Sequence, residues 1–275
     1  MDDITVAQPT RRRMLGGLLG GAGALALAAC GDTKTATNAA SSAAPTTAGG
    51  ASTTTTPGAA TTAVTSSAAC TKIPEETAGP YPGDGTNGPN VLTQTGVVRS
   101  DIRSSFSSSN TVAKGVPLTI ALTIVDRSTC KPVAAAVVYL WHCDMGGSYS
   151  MYSQGVTNEN YLRGVQETDA SGIVTFKSIF PAAYSGRWPH IHFEIFPSLA
   201  VATNGKFKKA TSQLALPEDT CKLVFATAGY EQSVRNLAQS SLKSDNVFSD
   251  GWDTQTPTIT GSVASGFAAA LNVGV

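Results

Sequence analysis

The stretch Pro189-His190-Ile191-His192-Phe193-Glu194-Ile195 carries the clearest chemical signal in the chain. In an extended strand successive side chains alternate faces, so both imidazoles point one way while Ile191, Phe193 and Ile195 point the other. Two histidines so placed, about 7 Å apart at the backbone, can converge on one metal ion, although the same pattern also describes a polar sheet face. Glu194 continues the imidazole face but points further along the strand, and no carboxylate stands where it would complete a two-histidine, one-carboxylate set. Oxygen donors must come from elsewhere. Tyr149 in Gly146-Gly147-Ser148-Tyr149 and Tyr184 in Ala182-Ala183-Tyr184-Ser185-Gly186 sit in glycine-bearing loops at strand ends, where side chains reach pockets. A phenol keeps its proton to about pH 10, so ligation by tyrosine calls for a strong Lewis acid, and ferric iron is one. Zinc prefers nitrogen and sulfur. Either tyrosine taken singly reads equally well as a buried ring with a bonded hydroxyl. Tyr152 and Tyr161 are alternatives to Tyr149 without its Gly-Gly-x placement.

The elements that position these residues are strands. Pro117 to Val125 alternates, with Leu118, Ile120, Leu122 and Ile124 on one face. Val137 to His142 follows after a turn, and the two runs read as sheet neighbours. Further strands are expected at Ile173–Ile179, His190–Phe196, Ser212–Leu216 and Phe267–Val275, with one short helix at Glu231–Leu242. Many short strands with long loops and little helix define an all-β sandwich of mainly antiparallel strands.

Only part of the chain can bury a core. Residues 1–30 read as a twin-arginine, lipoprotein-type export signal: Arg11-Arg12-Arg13 precede a weakly apolar run that closes on Leu27-Ala28-Ala29-Cys30, which resembles a lipobox. Cleavage and lipidation of Cys30 would give a membrane anchor, the alternative being an ordinary cleaved signal with an incidental cysteine. Residues 31–69 are Ser-, Thr-, Ala- and Pro-rich and read as a disordered tether, and 70–275 as the folded domain. The expected location is extracytoplasmic. There Cys70, Cys130, Cys143 and Cys221 should form disulfides. A strand from Val133 to His142 spans about 30 Å and separates Cys130 from Cys143, which favours the pairings Cys70–Cys143 and Cys130–Cys221. With 19 Lys plus Arg against 19 Asp plus Glu, nothing invites a nucleic-acid partner, and a small molecule is the expected substrate.

Several segments, in order, resemble the intradiol ring-cleavage dioxygenases, the group of the catechol and protocatechuate 3,4-dioxygenases. They are Trp141-His142-Cys143-Asp144-Met145-Gly146-Gly147-Ser148-Tyr149-Ser150, Leu162-Arg163-Gly164 with Thr168-Asp169, Phe176 to Tyr184, and Arg187-Trp188-Pro189-His190-Ile191-His192. Glu75 to Tyr81 resembles the family's active-site rim, and Ser212-Gln213-Leu214 the place of a family glutamine. The resemblance covers residues 70–275. It implies one Fe(III) on Tyr149, Tyr184, His190 and His192, cleaving a catechol with dioxygen to a muconate-type diacid. It implies further that Tyr184 leaves the metal when substrate chelates, that Arg187 stabilises developing negative charge, and that Gln213 lies near the ring. His142 falls outside the ligand set and is expected to be structural. The segment from Tyr184 to His190 is shorter than in the soluble members, so substrate choice does not carry over. A sandwich that binds a metal or an aromatic ligand without turning it over is the alternative, and a homo-oligomer is compatible with either.

Overall fold

The computed structural model describes residues 70–275; the expected signal, the lipidated Cys30 and the tether lie outside the described residues. Eight strands form two four-stranded sheets. β1 (Pro117–Val125), β4 (Ile173–Ile179), β7 (Thr258–Ser262) and β8 (Gly266–Gly274) make one, in the order β4-β1-β8-β7. β2 (Val137–Trp141), β3 (Arg163–Glu167), β5 (His190–Phe196) and β6 (Ala210–Ala215) make the other, in the order β3-β2-β5-β6. Neighbours are antiparallel except β1 with β8, so the architecture is the expected all-β sandwich. Two short helices, α1 (Glu218–Phe225) and α2 (Glu231–Leu237), follow β6. β3, β7 and α1 had no clear periodic signature, and α2 stops short of the expected Leu242.

The main core lies between the sheets. Leu118, Ile120, Leu122 and Ile124 of β1 and Phe176 of β4 meet Val138 and Leu140 of β2 and Ile191, Phe193 and Ile195 of β5. A second cluster covers the other face of the β2 sheet, where Val91, Leu92 and Val97 pack on Val137, Tyr139, Trp141 and Phe196. β2 and β5 are therefore buried along their whole length, which is why β2 shows no polar face.

Two expectations are corrected. β1 and β2 are not sheet neighbours: the turn that Asp126 Oδ1 organises by accepting from Ser128 and Thr129 carries the chain from one sheet to the other. An apolar β2 needs cover on both faces and finds it centrally between β3 and β5. The cysteines also pair differently. Cys70 bonds Cys130 with Cα atoms 5.3 Å apart, while Cys143 and Cys221 are free and buried. The C-terminal end of β8 decides this, because Ile73 N–H donates to Gly274 O and Val275 N–H to Val125 O, gathering both segments beside one strand. Cys143, at the far end of β2, faces Ala182 O instead, and Cys221 packs in the main core from α1.

The disulfide spans 60 residues, for which loop-closure entropy gives a contribution of about 4 kcal/mol. Peptide mapping of the unreduced protein should return Cys70–Cys130 alone, with Cys143 and Cys221 alkylated only after denaturation. Cys130→Ser should lower the thermal midpoint without altering the fold.

Candidate active site

β5 opens the site. His190 and His192 lie on its outer face, both fully buried, and their Nε2 atoms stand 3.1 Å apart. His190 Nδ1 donates to Trp188 O at 2.5 Å, so its Nε2 lone pair points inward. Trp141, paired with His192 across the β2–β5 ladder, stacks on that imidazole with ring centroids 4.8 Å apart and planes 3° from parallel. Two loops bring the phenols. After β2, Asp144 Oδ1 accepts from the N–H groups of Gly146 and Ser148, closing a turn that presents Tyr149. After β4, Ser233 Oγ and Asn236 Nδ2 of α2 bond the backbone of Ala183 and fix the loop before Tyr184. Gly147 is required here: its φ is +89°, and a Cβ would stand 3.3 Å from the Tyr184 Cβ. Tyr184 Oη lies 3.0 Å and Tyr149 Oη 3.5 Å from His190 Nε2.

The structure therefore brings together Tyr149, Tyr184, His190 and His192. Burial pushes the His190 imidazole down to about 3 and His192 well below its ordinary value, and it pushes the Tyr184 phenol up to about 12 and Tyr149 well above the usual range. Tyr149 Oη, Tyr184 Oη and His192 Nε2 all converge on the single Nε2 lone pair of His190, which cannot serve three donors, and His192 Nδ1 is buried without a partner. The residues fit a metal ion. Donor separations of 3.0–3.5 Å are those of atoms each about 2 Å from one ion. Among the described residues no group of three His, Cys, Asp or Glu could hold a metal, so an ion here would take the phenol oxygens. Two phenol oxygens with two imidazole nitrogens suit a hard trivalent ion better than zinc, whose usual ligands are thiolate, imidazole and carboxylate.

A cavity of about 640 Å³ opens on the two tyrosines, with Arg187 in its wall. Arg187 Nε donates to Asp245 Oδ2 at 2.9 Å and Nη2 to Gln213 Oε1 at 2.7 Å, while Gln213 Nε2 donates to Thr77 O. Gln213, opposite His192 on β6, thus ties the guanidinium to the rim. Burial would raise the Asp245 carboxyl, but hydrogen bonds from Arg187 and from the Trp188 and Val247 N–H groups outweigh it and hold it below its ordinary value. The rim is the segment 75–81: Glu76 N–H donates to Thr211 O, Gly79 passes over His192, and Tyr81 packs on Tyr149 with ring centroids 5.0 Å apart.

The remaining candidates fall outside the donor set. His142 is structural, with Nε2 2.7 Å from Ser178 Oγ and Nδ1 2.7 Å from Cys143 O. Tyr152 Oη accepts from Gly83 N–H, and Tyr161 Oη donates to Asp144 Oδ2. Glu194 faces Lys208 Nζ at 3.1 Å. Two residues escaped the sequence reading as contributors to the site. Asp245 lies in a polar loop that reads only as a turn. Arg163, quoted only within a motif, is fully buried, and it holds Ser150 through Nε and Nη2, Tyr81 O through Nη2, and Pro82 O through Nη1.

A family profile described as "Dioxygenase" matches residues 87–240, which include both tyrosines, both histidines, Arg187 and Gln213. The chain belongs to the intradiol ring-cleavage dioxygenase family. The solved structure of an intradiol ring-cleavage dioxygenase from Tetranychus urticae is 28% identical, with a TM-score of 0.56 over 74% of this chain and 94% of that one. Catechol 1,2-dioxygenase 2 of Acinetobacter lwoffii is 32% identical over 107 residues, 32% of this chain and 36% of that one. Catechol 1,2-dioxygenase 1 of the same organism is 40% identical over 55 residues, 20% and 18%. The chain thus spans about a third or less of the curated dioxygenases that it matches.

Arg163→Lys should keep the charge but lose the fork that joins Ser150 to the rim, costing about 3 kcal/mol through carbonyls left unpaired in the interior. Urea unfolding checks the loss, and near-ultraviolet dichroism should report a loosened Tyr81–Tyr149 packing. Burial, then Asp84, pushes the Glu194 carboxyl up to about 8, so between its ordinary value of 4.5 and about 8 the unfolded chain has released a proton that the fold retains. Stability contributed by this group falls as pH rises through that window. Urea midpoints of the metal-free protein measured across it should decline less steeply in Glu194→Gln.

Proposed function

We propose that this protein cleaves small catecholic compounds with dioxygen between their two hydroxyl-bearing carbons, yielding a muconate-type diacid, with Fe(III) held by Tyr149, Tyr184, His190 and His192. The observation that carries this reading is the convergence of two phenols and two imidazoles at a cavity whose wall holds an anchored guanidinium. When bound, ferric iron would supply the Lewis acidity that favours a catecholate and brings the ring and dioxygen together. The protein's own groups divide the remaining tasks. Tyr149, His190 and His192 are buried and fix the donor frame. Tyr184 is only half-buried and lines the cavity, so its Oη is the group free to turn aside and, once ionised by the bound ion, to take a catechol proton. Arg187 is held by Asp245 and Gln213, so its guanidinium faces an anionic ring without reorganising. Cleavage outside the cytoplasm, by a protein anchored through Cys30, is the setting that Arg11–Arg13 and Leu27–Cys30 support.

The full-length protein loaded with ferric iron should show a broad visible phenolate-to-iron band, and it should consume oxygen with catechol to give a product carrying both oxygen atoms. Tyr149→Phe and His192→Ala should each weaken or abolish the band. Arg187→Gln should keep it while lowering kcat about a hundredfold. A coloured protein that consumes no oxygen would support the binding module instead, and a protein that stays colourless would end the iron reading.

A further inference from the structure

The charges and dimensions of the cavity bear on which catechols it admits. Its volume of about 640 Å³ falls within the range of pockets that take drug-sized ligands, about 300–1,000 Å³, and is larger than a single catechol ring needs. Arg187 is the one charged residue of its lining, and that charge is already matched. The Asp245 side chain that accepts from Nε is fully buried, and Gln213 Oε1 takes Nη2. Apart from Arg187 the polar part of the wall is neutral and hydrogen-bonding, with Thr77, Ser153, Ser185 and Asn246. Tyr81 adds an aromatic face, 37% exposed, that packs on Tyr149 with ring centroids 5.0 Å apart. A carboxylate on the far side of a bound ring would lose water without meeting a free cation. An amide, hydroxyl or second aromatic ring would find partners.

We propose that the site takes catechols whose further substituent is uncharged and hydrogen-bonding, including ones extended by a second ring toward Tyr81 and Asn246, and that it discriminates against carboxylated catechols. This rests on the dioxygenase reading and narrows its substrate class.

Four probes separate charge from size: catechol, 3,4-dihydroxybenzoate, 3,4-dihydroxybenzamide and its N-phenyl derivative. Each is measured on the iron-loaded full-length protein, by oxygen uptake and by anaerobic calorimetric binding. The expected result is that both amides bind within about tenfold of catechol while the benzoate binds at least about tenfold more weakly than the amide of the same shape, a difference carried by KM. Asn246→Lys should narrow the gap between benzoate and amide. Equal binding of the two in the unaltered protein would overturn the proposal, as would exclusion of the N-phenyl amide or an unchanged gap in Asn246→Lys. If no probe is cleaved, the catalytic reading fails, and the binding series still decides the preference by itself.

Discussion

Two neutral imidazoles with their Nε2 atoms 3.1 Å apart, in an interior that excludes water, share one proton at best: His190 Nε2 can accept from His192 Nε2, and His192 Nδ1 is then left buried without a partner. Much of the surrounding structure holds them in that arrangement. The carbonyl of Trp188 fixes the His190 tautomer, and the stacked Trp141 ring keeps His192 from turning away. Both constraints derive from strand register. His192 stands between Trp141 on β2 and Gln213 on β6, so the same ladder that aligns the sheet aligns the stacking partner and the residue that ties down Arg187. Lone pairs crowded in this way are costly in the metal-free protein and would become favourable around a cation.

Charge is rationed with equal care around the cavity. Arg187 is matched by Asp245, which in turn accepts the N–H of Trp188, the residue whose carbonyl orients His190. Guanidinium, carboxylate and imidazole are thus linked through one short stretch of backbone, and displacing any of them would disturb the others. Arg163 solves a different problem with the same side chain. It has no carboxylate in its bonding set, yet its fork is filled by Pro82, Tyr81, Ser150 and Tyr139. It binds the rim and the Tyr149 loop to β3 as one body.

How much of this was legible in the sequence follows from which signals are local. β1, β4 and β5 announce themselves by alternation, and the bounds of each agree with the sequence reading. His-x-His geometry is a property of one strand, and the two glycine-bearing loops mark Tyr149 and Tyr184 as reaching into a pocket. What was not legible depends on long-range placement. β3 is a five-residue strand that contains both Arg163 and Gly164, and β2 hides its partner choice because both its faces are apolar. The disulfide is set by β8, more than a hundred residues away from either cysteine in the chain. Asp245 acquires its role only once the loop after α2 returns to the end of β5.

The two phenols illustrate how such placement divides labour between residues of the same type. Tyr149 is buried in the cluster with Trp141 and Val91, under the Tyr81 ring, and its backbone N–H is held by Ser153 Oγ. Tyr184 projects from a loop whose anchor is a seven-residue helix, through Ser233 and Asn236. Beyond Tyr184 the chain turns at once through Ser185 and the positive-φ Gly186, around whose Cβ position there is open space. Moving Tyr149 would require opening a core, whereas moving Tyr184 requires only a rotation into the cavity that it already lines. The asymmetry lies in the packing around the rings. A site built on one fixed and one movable phenol can reposition one oxygen donor without dismantling its frame.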